Sequence, residues 1–211
     1  LSLAICVLAL LSYVALRGQE RSQAVSETAV LGQQHVHQID LLLATERKSL
    51  ERMALNWEAH AGIPEEEWRI SAAAYVRDLP LFQAIERVDK NYIVRWVEPF
   101  EGNEAAQDLD LSFESRRKLA LEAAKESGET RVTDPVELVQ GGKGILIYVP
   151  LYMDGEFDGF ILGVYRVQRL LDYALQSEPR LAVVAHFDGD LLYQKGVPVG
   201  EPWLGESDLG W

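Results

Sequence analysis

The chain has 211 residues, 48% of them hydrophobic and 25% charged, with a formal net charge of −13 at pH 7. That length holds one large or two small domains with a core of useful size. The acidic balance excludes a nucleic-acid surface, which needs clustered Lys and Arg, and it repels anionic lipid headgroups.

Leu1 to Leu16 carries no charge and ends at Arg17-Gly18. A spanning helix needs about 20 apolar residues. With no Met at its start and Gly210-Trp211 at its end, the sequence reads as a fragment, so residues 1–18 are expected to be a clipped transmembrane helix. A signal-peptide core and a buried soluble helix are the rivals. Cys6, the single cysteine, lies in this segment, so no intramolecular disulfide forms. A body exported without one suits a bacterial periplasm at the inner membrane.

From Gln19 to Trp57 there is no proline, and Gly32 is the only glycine. Val25, Ala29, Val36, Ile39, Leu43, Leu50, Met53 and Trp57 alternate by four and three, with Gly32 and Glu46 in the remaining slots. This is a heptad seam on a stalk helix over 19–60, a rod of roughly 55–60 Å. The seam pairs two chains in a homodimer, or packs on its own chain, or does each along a different half. Glu46 would be costly if fully buried, so the seam is expected to open there. His35 and His37 are two apart, lie on different sides of a helix and cannot hold one metal together.

Gly62-Ile-Pro64 breaks the stalk, and Glu65 to Asp78 reads as a second helix. Gln83–Asp89 and Tyr92–Val97 read as strands, with Tyr92, Val94 and Trp96 on one face of the second. Ser112 to Ser127 reads as a helix, with Ser112 as cap and Gly128 after its end. Arg116 and Arg117 in its first turn oppose the helix dipole, which raises the question of an anion there. Thr133–Val139, Gly144–Leu151 and Gly159–Val167 follow as antiparallel strands, joined by Gly141-Gly-Lys-Gly and Met153-Asp-Gly turns. The fold class is α+β, a PAS-like meander packed on helices.

Val97-Glu98-Pro99 with Asn103, Leu109-Asp110-Leu111, Arg116 through Ala123-Ala124 to Gly128, Thr133-Asp-Pro-Val-Glu-Leu-Val, Gly144-Ile-Leu-Ile-Tyr-Val-Pro-Leu-Tyr and Gly159-Phe-Ile-Leu-Gly-Val-Tyr-Arg-Val stand in an order and spacing that resembles the CHASE family. CHASE domains are extracytoplasmic sensory domains of histidine kinases and nucleotide cyclases. The resemblance implies a membrane-distal PAS-like subdomain over 61–168 that binds a small molecule. It further implies a linking helix, Arg169 to Ser177, and the start of a membrane-proximal PAS-like subdomain within 169–211, with Leu181-Ala-Val-Val-Ala and Leu191-Leu-Tyr as strands. The chain departs from the family where Asp108 stands in place of a frequent glycine. In the plant cytokinin receptors of the family an acid near the start of the covering helix meets the hormone. Here that region reads Ser115-Arg116-Arg117, which disfavours a cytokinin and admits an anionic ligand.

By this resemblance Thr133 falls on the pocket threonine, while Val139, Tyr148, Phe160 and Gly163 lie on the strands that line the pocket. Phe160 reads equally as core. Tyr148 joins an apolar ring to a hydroxyl tip that can orient a ligand, and Gly163 makes room for a ligand ring. Trp96 is a stacking wall or core, and Asp110 a pocket acceptor or turn residue. Arg116 and Arg117 are solvated, or one of them clamps a carboxylate. The expected pocket is concave, mostly apolar and bounded by Tyr148, Phe160 and Thr133. No nucleophile–base pair, phosphate loop, cofactor motif or metal cluster emerges, so no catalytic role is expected. The alternative to a sensor is a spacer module in which the stalk seam does the work.

Overall fold

The computed structural model of the chain describes the backbone of residues 2–179 and 181–197 and the side chains of residues 22–179 and 181–197. The first helix, α1, runs without a break from Ser2 to Ala59. At 1.5 Å per residue it is roughly 85–90 Å long. The segment expected to cross the membrane, Leu1 to Leu16, lies outside the described side chains. Among the described residues no helix is long and apolar enough to cross a membrane.

After α1 come α2 (Glu65–Asp78), β1 (Phe82–Asp89), β2 (Val94–Glu98), α3 (Ser115–Ser127), β3 (Arg131–Val132), β4 (Val136–Glu137), β5 (Lys143–Met153), β6 (Glu156–Arg166), α4 (Val167–Ala174), β7 (Val183–Phe187) and β8 (Asp190–Lys195). The main sheet has the order β2-β1-β6-β5-β3, with β4 also paired to β5, and β7-β8 form a separate hairpin. The residues beyond Val197 that belong to the expected proximal subdomain lie outside the described ones.

Alternation along the strands gives the sheet two buried faces. Ile145, Ile147 and Val149 of β5 and Ile161 and Tyr165 of β6 face α1 and α2, where they meet Leu43, Leu50, Met53, Trp57, Trp68 and Ala72. Leu146 and Tyr148, with Phe160, Leu162 and Val164, face the other way, onto Ala120, Leu121 and Ala124 of α3. The lower half of the stalk seam therefore packs on its own chain. Glu46 is buried there, only 3% exposed, and the seam does not open at it as expected. Burial pushes its carboxyl up to about 7, against the opposing pull of the Tyr165 hydroxyl, Arg169 and the Leu81 amide.

Two local departures from expectation have backbone causes. Of the strand expected over Thr133–Val139 only β4 forms, and β3 ends just before it at Val132. Pro135 has no N–H to give to the ladder. Thr133 bridges the gap instead: its amide donates to the Leu146 carbonyl (2.9 Å) and its Oγ1 accepts from the Leu146 amide (3.0 Å). The cap of α3 is Glu114 rather than Ser112. Its carboxylate accepts from the amides of Arg116 and Arg117, placing a negative charge where the helix dipole favours one and offsetting the two arginines.

Gly163 sits at the closest approach of α1 to the sheet. A Cβ there would stand 2.7 Å from Leu50 Cδ1 and 3.1 Å from both Phe82 and Tyr165 ring carbons. Gly163→Val is expected to cost about 1–3 kcal/mol by overpacking. A lowered urea midpoint at unchanged slope would show it, and an unaltered midpoint would mean that α1 can slide on the sheet.

Candidate functional site

Among the described residues α3 covers the second face of the sheet, and beside its first turn the packing leaves a small, partly open void. The void measures ≈ 10 Å³ and is walled by Glu86, Ala106, Leu109, Leu111, Arg117, Leu138, Val139, Gln140, Leu146, Leu162 and Val164. That size admits about one water. Most of the wall is aliphatic, but it also holds one acid and one base, both only 2% exposed, namely Glu86 and Arg117.

Glu86 reaches the void because Ala84, Glu86 and Val88 alternate onto the α3 face of β1. Burial pushes its carboxyl up to about 8, with Arg117 and the Gln140 side chain pulling the other way. Arg117 comes from the first turn of α3. Its Nη2 donates to the Glu137 carbonyl (2.7 Å), its guanidinium lies 5.2 Å from the Phe113 ring, and its Nε has no hydrogen-bond partner. Among the described residues the two groups share a void and a field without closing into an ion pair. The Tyr148 hydroxyl feels both charges, is fully buried and lacks a hydrogen-bond partner.

The rim is the turn between β4 and β5. Gly141 and Gly142 there both have φ above +80° (87° and 82°), a conformation that glycine adopts without strain. Arg166, the last residue of β6, grips this turn. Its Nη1 donates to the Gly141 carbonyl (2.6 Å), its Nη2 to the Gln140 carbonyl (2.8 Å) and its Nε to Gln83 Oε1 (2.8 Å). Gln83 in turn donates to Asn103 Oδ1 (2.9 Å), and Asn103 donates to the Pro99 carbonyl (2.9 Å). One chain of hydrogen bonds thus joins the rim, the 99–107 loop and the start of α4.

Of the residues expected at the site, Arg117 and Val139 line the void, with Val139 36% exposed at its edge, while Tyr148 packs on the same face of the sheet without lining it. The pocket expected between Tyr148, Phe160 and Thr133 is filled by their own side chains. Phe160 is fully buried with its ring 5.6 Å from that of Tyr148, and Thr133 is taken up by the ladder. Trp96 faces the opposite side of the sheet, its ring 5.7 Å from Trp57 and 5.5 Å from Trp68. Gly163 also faces α1, so the room it makes is for Leu50 and not for a ligand ring. Asp110 is a turn residue, accepting from the Ser112 amide and hydroxyl. Arg116 donates to the Pro135 carbonyl (2.7 Å) and lies outside the void. Glu86 and Gln140 were not singled out from the sequence. The signal available for Glu86 was an acid between Ala84 and Val88 at inward positions of a strand.

Comparison with solved structures places this fold among sensor domains. An extracellular ligand binding receptor from Desulfohalobium retbaense matches with a TM-score of 0.66 at 15% identity, covering 80% of this chain and 31% of that one. The extracellular domain of the histidine kinase rpHK1S-Z16 matches with 0.62 at 17%, over 82% and 71% of the two chains. The ligand-binding domain of the Pseudomonas aeruginosa amino acid chemoreceptor PctC, in complex with GABA, matches with 0.59 at 14%, over 78% and 74%. The chain spans about a third of the length of the first of these, and at such identities the likeness is one of fold. No curated protein sequence matches the chain. The CHASE domain model matches residues 20–195, and the chain belongs to the CHASE family.

Proposed function

We propose that this chain is the extracytoplasmic sensing part of a transmembrane signalling receptor, tethered through its N-terminal helix and acting as a homodimer. A small molecule binds between the sheet and α3, and binding is relayed to a cytoplasmic kinase or cyclase. The observation that carries this reading is a buried acid and a buried base, Glu86 and Arg117, facing one void without pairing. Folding alone does not explain them, because a charged group removed from water is costly unless it is paired. Family membership and the sensor domains of like fold support the same role. The half-buried seam residues Val25, Ala29 and Val36, which lie beyond the part of α1 that packs on the sheet, support pairing of two stalks.

The void is water-sized, so a ligand enters only if the Leu138–Gly142 turn moves. Arg166 holds that turn and immediately precedes α4. Opening the rim therefore perturbs α4, whose Asp172 accepts from the Tyr193 hydroxyl of β8 (2.8 Å). A ligand with higher affinity for the open form shifts the population toward it.

The test is a thermal-shift screen of the chain against metabolites, including carboxylates, amino acids and adenine derivatives. A ligand that binds only the folded form raises the melting point with concentration. A saturable shift that vanishes in Arg117→Gln is the expected result. The spacer reading is favoured by the filled space around Tyr148 and Phe160. No shift from any compound, with a dimer that survives dilution, would select it.

A further inference from the structure

We propose that the ligand of this site is dipolar, with a cationic nitrogen held by Glu86 and a carboxylate or equivalent anion held by Arg117. This rests on the reading of the void as the ligand site and narrows it to a chemical class. The polar groups at the void are of two kinds, and they specify two ends of a guest. Arg117 Nε and the Tyr148 hydroxyl are buried donors without acceptors. A carboxylate in the void offers an acceptor lone pair to Arg117 Nε, and a guanidinium fork matches it in plane. Glu86 is the complementary acceptor on the facing strand, and once ionised it has only acceptor sites to offer.

A guest bearing only a negative charge would meet Arg117 but leave the Glu86 carboxyl protonated and without a cationic partner. A guest bearing only a positive charge would stand next to Arg117. The second arrangement carries a like-charge penalty in a poorly solvated space, and the first leaves one end of the site unused. A dipolar guest satisfies both ends and brings no net charge into the void. The aliphatic remainder of the wall, Leu109, Leu111, Leu138, Leu146, Leu162 and Val164, suits a short apolar body between or beside the two ends. The Glu86 carboxyl, pushed up to about 8 by burial and so protonated at neutral pH, gives up its proton when an ammonium group arrives. Binding is therefore coupled to proton release.

The experiment compares matched probes on the full chain by titration calorimetry at pH 7. The proteinogenic L-amino acids and GABA are the dipolar set. Propionate and butyrate lack the amine, and ethylamine and butylamine lack the carboxylate. The expected result is saturable binding by at least one dipolar probe, at least 10-fold tighter than its two singly charged analogues. The apparent enthalpy should change with the ionisation enthalpy of the buffer, as proton release requires. Glu86→Gln should bring the dipolar probe and its carboxylate analogue to within a few-fold of one another. That variant is expected to fold at least as stably as the parent, so loss of fold does not confound the readout. Equal or tighter binding of propionate or butyrate overturns the dipolar class. So does failure of the whole dipolar set when the wider screen finds another ligand lost in Arg117→Gln, and in both cases the site stands. Failure of every compound removes the site as well.

Discussion

Trp57→Ala is expected to lower stability by about 3–5 kcal/mol, the range for truncating a buried aromatic residue. Trp57 is the last seam residue of the stalk and is 7% exposed. Its ring meets Trp96, and through it Trp68 of α2. Its Nε1 donates to Asp158 Oδ2 (3.0 Å), which also accepts from Arg87 Nη2 (2.6 Å), and the Arg87 guanidinium lies 4.3 Å from the indole centroid. Arg87 is 6% exposed, and burial lowers its pKa against the raising effect of Asp158. Removing the indole therefore opens a cavity and strips one face from a buried cation. Urea unfolding should show a lower midpoint at unchanged slope. Trp57→Phe should recover most of the packing and lose about 1–2 kcal/mol for the missing hydrogen bond. Full stability in Trp57→Ala would mean that the stalk is not anchored to the sheet here, and the relay through α1 would lose its fixed end.

The pattern of apolar residues carried most of the fold. A seam with 4–3 spacing and no proline implied one long helix, and period-two alternation in Gly144–Leu151 and Gly159–Val167 placed each side chain on a face. The partner of the seam could not be read, because an apolar stripe looks the same whether a second stalk or the protein's own sheet covers it. Leu43 to Trp57 turned out to face the sheet. Gly163 shows the same blindness in the site: a glycine on a central strand signals a close approach, but not what approaches. Trp96 was expected on one face with Tyr92 and Val94, but the register shift opposite Arg87 and Val88 turns it onto the other face. Arg117 was legible as an oddity, a cation in a helix's first turn. Glu86 was passed over because an acid in a strand usually marks the solvated face. Burial on both faces of β1 depends on α3, which is remote in sequence.

Glu86→Gln is expected to stabilise the protein at neutral pH while weakening its response to ligand. The folded carboxyl titrates near 8 and the unfolded one near 4.5. Between those values the folded state holds a proton that the unfolded state has lost, so stability falls as pH rises through the window. Each tenfold difference in proton affinity between the two states is worth about 1.4 kcal/mol. The destabilisation is therefore nearly absent at pH 4, reaches about 3 kcal/mol at pH 7 and is largest above pH 8. Glutamine is neutral throughout and removes that slope. The difference between parent and variant isolates the residue, since other titrating groups cancel, apart from the coupling of Glu86 to Arg117 and Tyr148. Urea midpoints at pH 4, 7 and 9 should converge at the lowest pH and diverge at the highest, with the variant above. A variant less stable at pH 9 than the parent would mean that the carboxylate is well paired in the folded chain, and the case for a missing cationic partner would fall with it. If the curves diverge as expected, Glu86 opposes folding over most of the physiological range, and its place in the void is explained by what it binds rather than by what it stabilises.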